Sequence, residues 1–247
     1  MTPLRSIFPG PPAFTQGWHV SVSDVSSWLE RRNKVVLAVM ATLLHALLYG
    51  LPNRIHLAPP VQLPMTWLDR VTPFLPLTLW LYLSAYALVF TAFSLCRKPG
   101  STARFIYAFF TVVGVSTLVH WMWPTAYPRA LFPVPEQASP FVHWTMARFR
   151  ELDSPASCLP SLHVAAAFIS AFAVAGEGDR RAPLLIAWAA LIWGSTLTTK
   201  QHYVVDGVAG LLLALAVWAL FYARPGAREQ ARLSSRDCFP GSRRAGS

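Results

Sequence analysis

"TKQHYVVDGVAGLLLALAVWALFYAR", residues 199–224, opens with Lys200, His202 and Asp206 and then runs from Gly207 to Ala223 without a charge. The apolar part is about one membrane thickness long, and ionisable groups at its mouth are costly unless they are paired or used. The stretch therefore reads as a membrane-spanning helix with a polar, functional entrance.

Similar apolar runs recur along the chain, at 34–51, 75–96, 104–123 and 183–199, with the last at 203–223. A sixth, 160–176, is shorter but uncharged, and its polar start "PSLH" suits a cavity rather than lipid. The 247 residues are 54% hydrophobic and 13% charged, with ten tryptophans, and the mean hydropathy is +0.40. Such a balance exceeds what a soluble core of this size needs. The expected fold is an all-α membrane protein, a bundle of six transmembrane helices with its active site at the non-cytoplasmic face.

Six spans place both termini on one side, and the basic residues say which. Fifteen of the twenty-one Lys and Arg residues fall on the segments shared with the termini, including Arg31, Arg32, Lys34, Arg97, Lys98 and the Arg-rich tail. Six fall opposite: Arg54, Arg70, Arg129, Arg148, Arg150 and Lys200. Cytoplasmic loops retain positive charge, so both termini are expected in the cytoplasm. The net charge of +10 sits beside the membrane and in the tail, where anionic lipid is the partner and nucleic acid is not. Cys96 and Cys238 fall on the cytoplasmic side and Cys158 on the other, which leaves no pair for a disulfide.

Three regions follow: a cytoplasmic arm at 1–32, a catalytic membrane domain at 33–223 and a basic disordered tail at 224–247. The opening residues are Pro-rich and lack an apolar centre, so the first span is expected to be its own insertion signal. "SDVSSWLERRNK", residues 23–34, suits a short interfacial helix. The connector after the first span has too many prolines for a long helix, and it is expected to lie along the outer surface. The outer segment 124–159 is long, polar in patches and interrupted by proline, a length associated with function or disorder.

Three stretches meet on the outer side in this topology: "PTAYPRALFP" (124–133), "CLPSLHVAAAF" (158–168) and "STLTTKQHYVVD" (195–206). His202 and Asp206 are four apart, so on a helix they share a face, and the carboxylate can fix the imidazole tautomer. An oriented imidazole is a nucleophile or a base. In isolation the pair is also what an interfacial histidine with a snorkelling carboxylate looks like. Pro160 suits a first helical turn, and the backbone N–H groups of Ser161, Leu162 and His163 would then form an anion site. His163 there can protonate a departing alkoxide. Arg129 and Lys200 add positive charge for a phosphoryl group, whereas Arg148 and Arg150 suit a solvated loop face. A metal held by His163, His202 and Asp206 fits less well than a hydrogen-bonded His-Asp pair, and no further carboxylates offer a magnesium site. Ser161 lacks the surroundings of a hydrolase nucleophile. His45 and His120 read as structural histidines, or as residues lining a lipid entrance, and Gly207 and Gly210 as points of close helix packing.

With these residues in view, the chain resembles the membrane-bound type 2 phosphatidic acid phosphatase superfamily, on the side of the branch containing inositol phosphorylceramide synthases. Pro160, Ser161, Leu162 and His163 match a Pro-Ser-Leu-His helix start, and His202, Tyr203 and Asp206 match a His-Tyr-x-x-Asp motif. The resemblance implies a lipid phosphatase or phosphotransferase without cofactor or metal. His202 would attack phosphorus to give a phosphohistidine, Asp206 would orient it and His163 would protonate the leaving group. Arg129, Ser161 and Lys200 would bind the substrate phosphate, and water or an alcohol acceptor would take the phosphoryl group. Two positions depart from the pattern. Met122 stands where the first motif carries lysine, and Ser195 is followed by Thr196 where the third carries arginine. A non-catalytic lipid-phosphate transporter would keep the anion site without needing two histidines and an aligned aspartate. A channel would line several spans with polar residues instead of gathering them at one face.

Overall fold

Among the described residues the chain order is helix α1 (Lys34–Arg54), strand β1 (Val61–Gln62), and helices α2 (Trp67–Val71), α3 (Leu79–Leu95) and α4 (Pro99–Met122). Strand β2 (Thr125–Ala126) and helices α5 (Pro140–Leu152), α6 (Leu162–Gly176), α7 (Ala182–Thr198) and α8 (Val204–Tyr222) follow. The computed structural model describes residues 34–55, 57–153 and 155–222. The expected arm at 1–32, its interfacial helix apart from Lys34, and the tail at 224–247 lie outside the described residues.

Each of the six apolar runs is a helix, α1, α3, α4, α6, α7 and α8, with ends that move by a few residues. The reason is general: a run of Leu, Ala, Val and Phe without polar side chains satisfies its backbone only by bonding to itself. Three of these helices are long and apolar enough to cross a membrane: Pro76–Leu95, Gly100–Met122 and Val204–Tyr222. The shorter apolar segments are Val36–Gly50, Leu162–Gly176 and Ala182–Thr198.

Helix α6 is short because it is the centre. It packs against α3, α4, α7 and α8, and the stretch from Val164 to Ala171 is wholly buried. Fifteen residues rise about 22 Å, less than the hydrocarbon thickness of about 30 Å. A helix surrounded by other helices need not reach both interfaces, and its polar start can sit at depth among protein. Ala165, Ala166, Ala167, Ala171 and Ala173 keep the α6 surface low, which lets its neighbours approach closely. Gly178, at φ 74°, turns the chain out of α6 in a conformation that suits glycine. Helix α1 packs on α4 at the edge of the bundle.

The backbones approach closely where α8 crosses the start of α6. A Cβ on Gly210 would stand 2.6 Å from the Ser161 carbonyl oxygen, and one on Gly207 would strike the Trp193 indole, so both glycines serve the close packing expected of them. Gly210→Ala is expected to destabilise the protein by about 1–3 kcal/mol, read as a lower thermal midpoint in detergent. Gly114→Ala is the control: a Cβ there meets nothing within 4 Å, and the change should be neutral or slightly stabilising.

The two proline-rich connectors are built, and they are built together. β1 pairs in parallel with β2, Val61 opposite Thr125 and Gln62 opposite Ala126. Between β1 and α3, Thr66 and Asp69 close a capping box around α2: the Thr66 hydroxyl accepts from Asp69 N at 3.2 Å, and Thr66 N donates to Asp69 Oδ2 at 2.8 Å. The long segment 124–159 holds β2, a 3-10 turn at Arg129–Leu131 and α5, a helix capped by Ser139.

Candidate active site

At the start of α6, Ser161 is the N-cap: its hydroxyl accepts from Val164 N at 3.4 Å, and its own N–H donates to the Asp206 carbonyl at 3.0 Å. Pro160 therefore lies just before the helix rather than in its first turn. The Ser161 amide is spent on the α6–α8 junction instead of facing an anion. His120, buried in α4, meets the Pro160 carbonyl at 3.0 Å through Nε2, a satisfied structural histidine that pins the same turn. His163 follows on this turn, with Nδ1 2.9 Å from Tyr82 Oη and the two rings stacked at 4.0 Å. The edges of Tyr49 and Tyr86 close two further sides, at ring distances of 6.3 and 6.0 Å. The imidazole can rotate little, and its Nε2 is the nitrogen left for chemistry.

The second histidine comes from the turn between α7 and α8. Lys200 takes φ 55° there, a left-handed conformation that costs a side-chain-bearing residue about 1–2 kcal/mol. Its ammonium holds the turn by donating to the carbonyls of Asp69 at 2.7 Å and Thr72 at 2.6 Å, and it lies 4.6 Å from the centre of the Phe132 ring. Lys200 is 1% exposed, and burial lowers its pKa, an effect the Asp69 charge partly offsets. Helix α8 begins at Val204, so His202 precedes the helix, and a capping turn rather than a shared helical face joins it to Asp206. Asp206 Oδ2 accepts from Tyr203 N at 2.8 Å and faces His202 Nδ1 at 3.4 Å. Asp69 Oδ1 accepts from Val204 N at 2.7 Å, so two carboxylates cap α8 where its dipole favours negative charge. The rings of His163 and His202 stand 6.4 Å apart, both facing this junction.

Arg129 approaches from the segment between α4 and α6. Its Nη1 donates to the Asp153 carbonyl at 2.5 Å and its Nη2 to Asp153 Oδ2 at 2.8 Å, with both side chains about nine-tenths buried. Tyr49 donates to the other carboxylate oxygen of Asp153. The Arg129 guanidinium lies 6.0 Å from the centre of the Phe149 ring, which packs at 5.4 Å on Tyr82, the partner of His163. Arg148 pairs with Glu151 on an exposed face, as expected. Arg150 differs, donating to the Phe132 carbonyl at 2.8 Å and stacking over Phe74 at 5.5 Å.

The structure thus brings His163, His202, Asp206 and Ser161 to one junction with Arg129 beside it, and turns the Lys200 ammonium toward the α2 loop. Among the described residues the atoms within metal-ligand range of one another belong to Cys158, His202 and Asp206, not to the two histidines with Asp206. Burial and the Asp206 charge push the Cys158 thiol up. An apolar cavity between α1, α3, α4 and α6 ends on His163: Tyr49 and Tyr86 line it near the site, Phe93 and Phe105 at the far end, and His45 between. Five residues that shape the site lie outside the three stretches singled out in the sequence. Thr66 and Asp69 could have been found from their capping-box spacing. Tyr49, Tyr82 and Asp153 are joined to it only by contacts between residues 24 to 104 positions apart.

A match to the PAP2 superfamily covers residues 30–220, from the start of α1 to the last turns of α8. No curated protein and no solved structure matches the chain. With the match spanning most of the sequence and both histidine-bearing turns, the chain belongs to the PAP2 superfamily.

Proposed function

We propose that this protein is an integral membrane lipid phosphatase or phosphotransferase that works through a phosphohistidine on His202. Members of the superfamily are generally phosphatases, which supports enzymatic activity. The observation that carries the mechanism is the 6.4 Å between the His163 and His202 rings. One phosphoryl group fits between them, with an attacking nitrogen about 3–3.5 Å from phosphorus on one side and a leaving oxygen at hydrogen-bond distance from the other.

The reaction divides between the two turns. Asp206 faces Nδ1 of His202, so Nε2 presents the lone pair that attacks phosphorus. The bond to the leaving oxygen breaks as His163 delivers a proton to it, and Tyr82 holds Nδ1 of His163 in either protonation state. Arg129 stabilises the charge on the phosphoryl oxygens, and Ser161 shapes the helix start that faces them. Lys200, in this reading, holds the turn that carries His202 and does not touch the phosphate. Water or an acceptor alcohol then attacks the phosphohistidine, and His163, now neutral, takes its proton. No metal enters any step.

The cavity ending on His163 supports a lipid substrate whose chain lies between α1, α3 and α4 while its phosphate reaches the histidines. Six spans with cytoplasmic termini would put the site at the outer face, and Pro128-Arg129 in "PTAYPRALFP" resembles the form that the first motif takes in the synthase-like branch, which favours that branch. The test is to reconstitute the protein with a mixed membrane lipid extract in EDTA and follow phosphate and every lipid by mass spectrometry. Free phosphate identifies a hydrolase and a new phospholipid a transferase. If no lipid changes with or without added metal, the enzyme reading is wrong.

Tyr82→Phe is expected to lower kcat about tenfold with KM little changed, the value of one lost hydrogen bond of about 1.4 kcal/mol. An unchanged kcat would show that the stacked ring alone fixes His163.

A further inference from the structure

Two short segments beside the catalytic junction, residues 157–158 and 201–206, are dense in buried polar atoms that their neighbours do not satisfy. Ser157 Oγ, Gln201 Oε1, His202 Nδ1 and Asp206 Oδ1 are all buried without a hydrogen-bond partner among the described residues. Native interiors leave few such atoms, and several together call for an explanation. The Cys158 thiol lies in the same place, donating to the Pro155 carbonyl at 3.1 Å and approaching the Gln201 carbonyl at 3.8 Å. Cys158 Sγ, one ring nitrogen of His202 and one carboxylate oxygen of Asp206 all stand within 4.8 Å of one another. Cys158 is 2%, His202 6% and Asp206 0% exposed.

We propose that Cys158, His202 and Asp206 form an inhibitory site for a borderline-soft divalent cation of the zinc class. One thiolate, one imidazole and one carboxylate are a donor set that suits such an ion and disfavours magnesium or calcium, which take oxygen ligands. Around tetrahedral zinc, a sulfur and a nitrogen ligand stand about 3.5 Å apart, so an edge of at most 4.8 Å closes by no more than about 1.3 Å. His202 and Asp206 come from the turn before α8 and its first turn, while Cys158 comes from the last loop before α6, so the ion would tie the two histidine-bearing turns together. On binding, the Cys158 thiol proton leaves to solvent, the Nδ1 proton of His202 moves to Nε2, and sulfur–metal and nitrogen–metal bonds form with no change of oxidation state.

Inhibition follows from which atoms are taken, and this part rests on the function proposed above. Metal on Nδ1 leaves the ring proton on Nε2 and draws Asp206 away from the ring, so Nε2 has neither the lone pair nor the orientation that attack on phosphorus needs. Cys158 itself takes no part in that attack, which makes it the residue that separates the two roles.

The test uses the full chain in detergent with cobalt(II) as a spectroscopic stand-in for zinc. A Cys96→Ser/Cys238→Ser protein, which keeps Cys158, should show a thiolate-to-cobalt charge-transfer band in the near ultraviolet, displaced by zinc. Cys158→Ser should lose the band and bind zinc more weakly by about tenfold or more. In the lipid assay, zinc should inhibit the wild type and inhibit Cys158→Ser only at correspondingly higher concentration. Absence of the band when Cys158 is present, or its survival in Cys158→Ser, overturns the site. A band that follows Cys158 in a protein that turns over no lipid leaves the metal site standing and removes the enzyme reading instead. Equal zinc inhibition of wild type and Cys158→Ser overturns the inhibitory role.

Discussion

His202→Ala is expected to reduce phosphoryl transfer by about four orders of magnitude or more, the scale of losing a covalent nucleophile. Little else should change. The His202 ring makes no short side-chain hydrogen bond, and Asp206 keeps its bond to Tyr203 N at 2.8 Å and continues to cap α8. The thermal midpoint should therefore stay near that of the wild type, and inactivity cannot be ascribed to unfolding. A second measurement assigns the step. Brief incubation with a lipid substrate carrying labelled phosphate, quenched in alkali, should leave alkali-stable, acid-labile label on the wild type and none on His202→Ala. His163→Gln should lose less, about 10²–10⁴-fold, because it removes proton transfer and not the bond-forming atom. With a substrate whose leaving group needs no proton, the His163 variant should recover the labelling step, though not the release step that also uses His163, while the His202 variant should recover neither. Label on His202→Ala, or equal recovery of both variants, would refute the division of roles.

The parts of this site that could be read from the sequence are those in which a short spacing is itself the geometry. Pro160 to His163 and His202 to Asp206 each lie within one turn of backbone, so residue type and offset nearly determine where the side chains meet. The apolar runs were legible for a similar reason, since about twenty residues without polar groups leave the backbone little choice but a helix. Even there the ends depended on tertiary contacts. α8 starts at Val204 because Asp69, 135 residues away, accepts its amide, and a pattern local to 199–206 cannot contain that fact. Lys200 shows the limit most clearly. Its charge beside the motif suggested a phosphate ligand, but the positive φ of its backbone and the carbonyls of Asp69 and Thr72 turn the ammonium into the α2 loop. Proline-rich connectors hide their structure equally well: β1 and β2, two residues each, hold each other in register across some sixty positions, and neither is long enough to show a strand's alternation.

Arg129 gives the second large effect, and its contacts make a single substitution hard to interpret. The guanidinium is paired with Asp153 in surroundings where each side chain is about one-tenth exposed. Arg129→Ala leaves a buried carboxylate uncompensated, which costs about 3–5 kcal/mol when such a pair is broken, softened where Tyr49 still donates to Asp153. The variant is expected to lose activity by about 10²–10³-fold, the scale of removing one preorganised donor to a charged transition state, and to melt earlier. The two losses separate in Arg129→Ala/Asp153→Ala. Removing both charges should recover most of the stability, because no buried ion is left alone, while kcat/KM should remain as low as in the single variant, because the cation facing the phosphoryl oxygens is still missing. Arg129→Lys sharpens the point: a lysine keeps the charge and can satisfy Asp153, but it lacks the planar fork, so stability should be nearly normal and activity intermediate. Should the double variant regain activity together with stability, Arg129 would be a strut of the segment between α4 and α6, and the phosphate would be held by other groups at the junction.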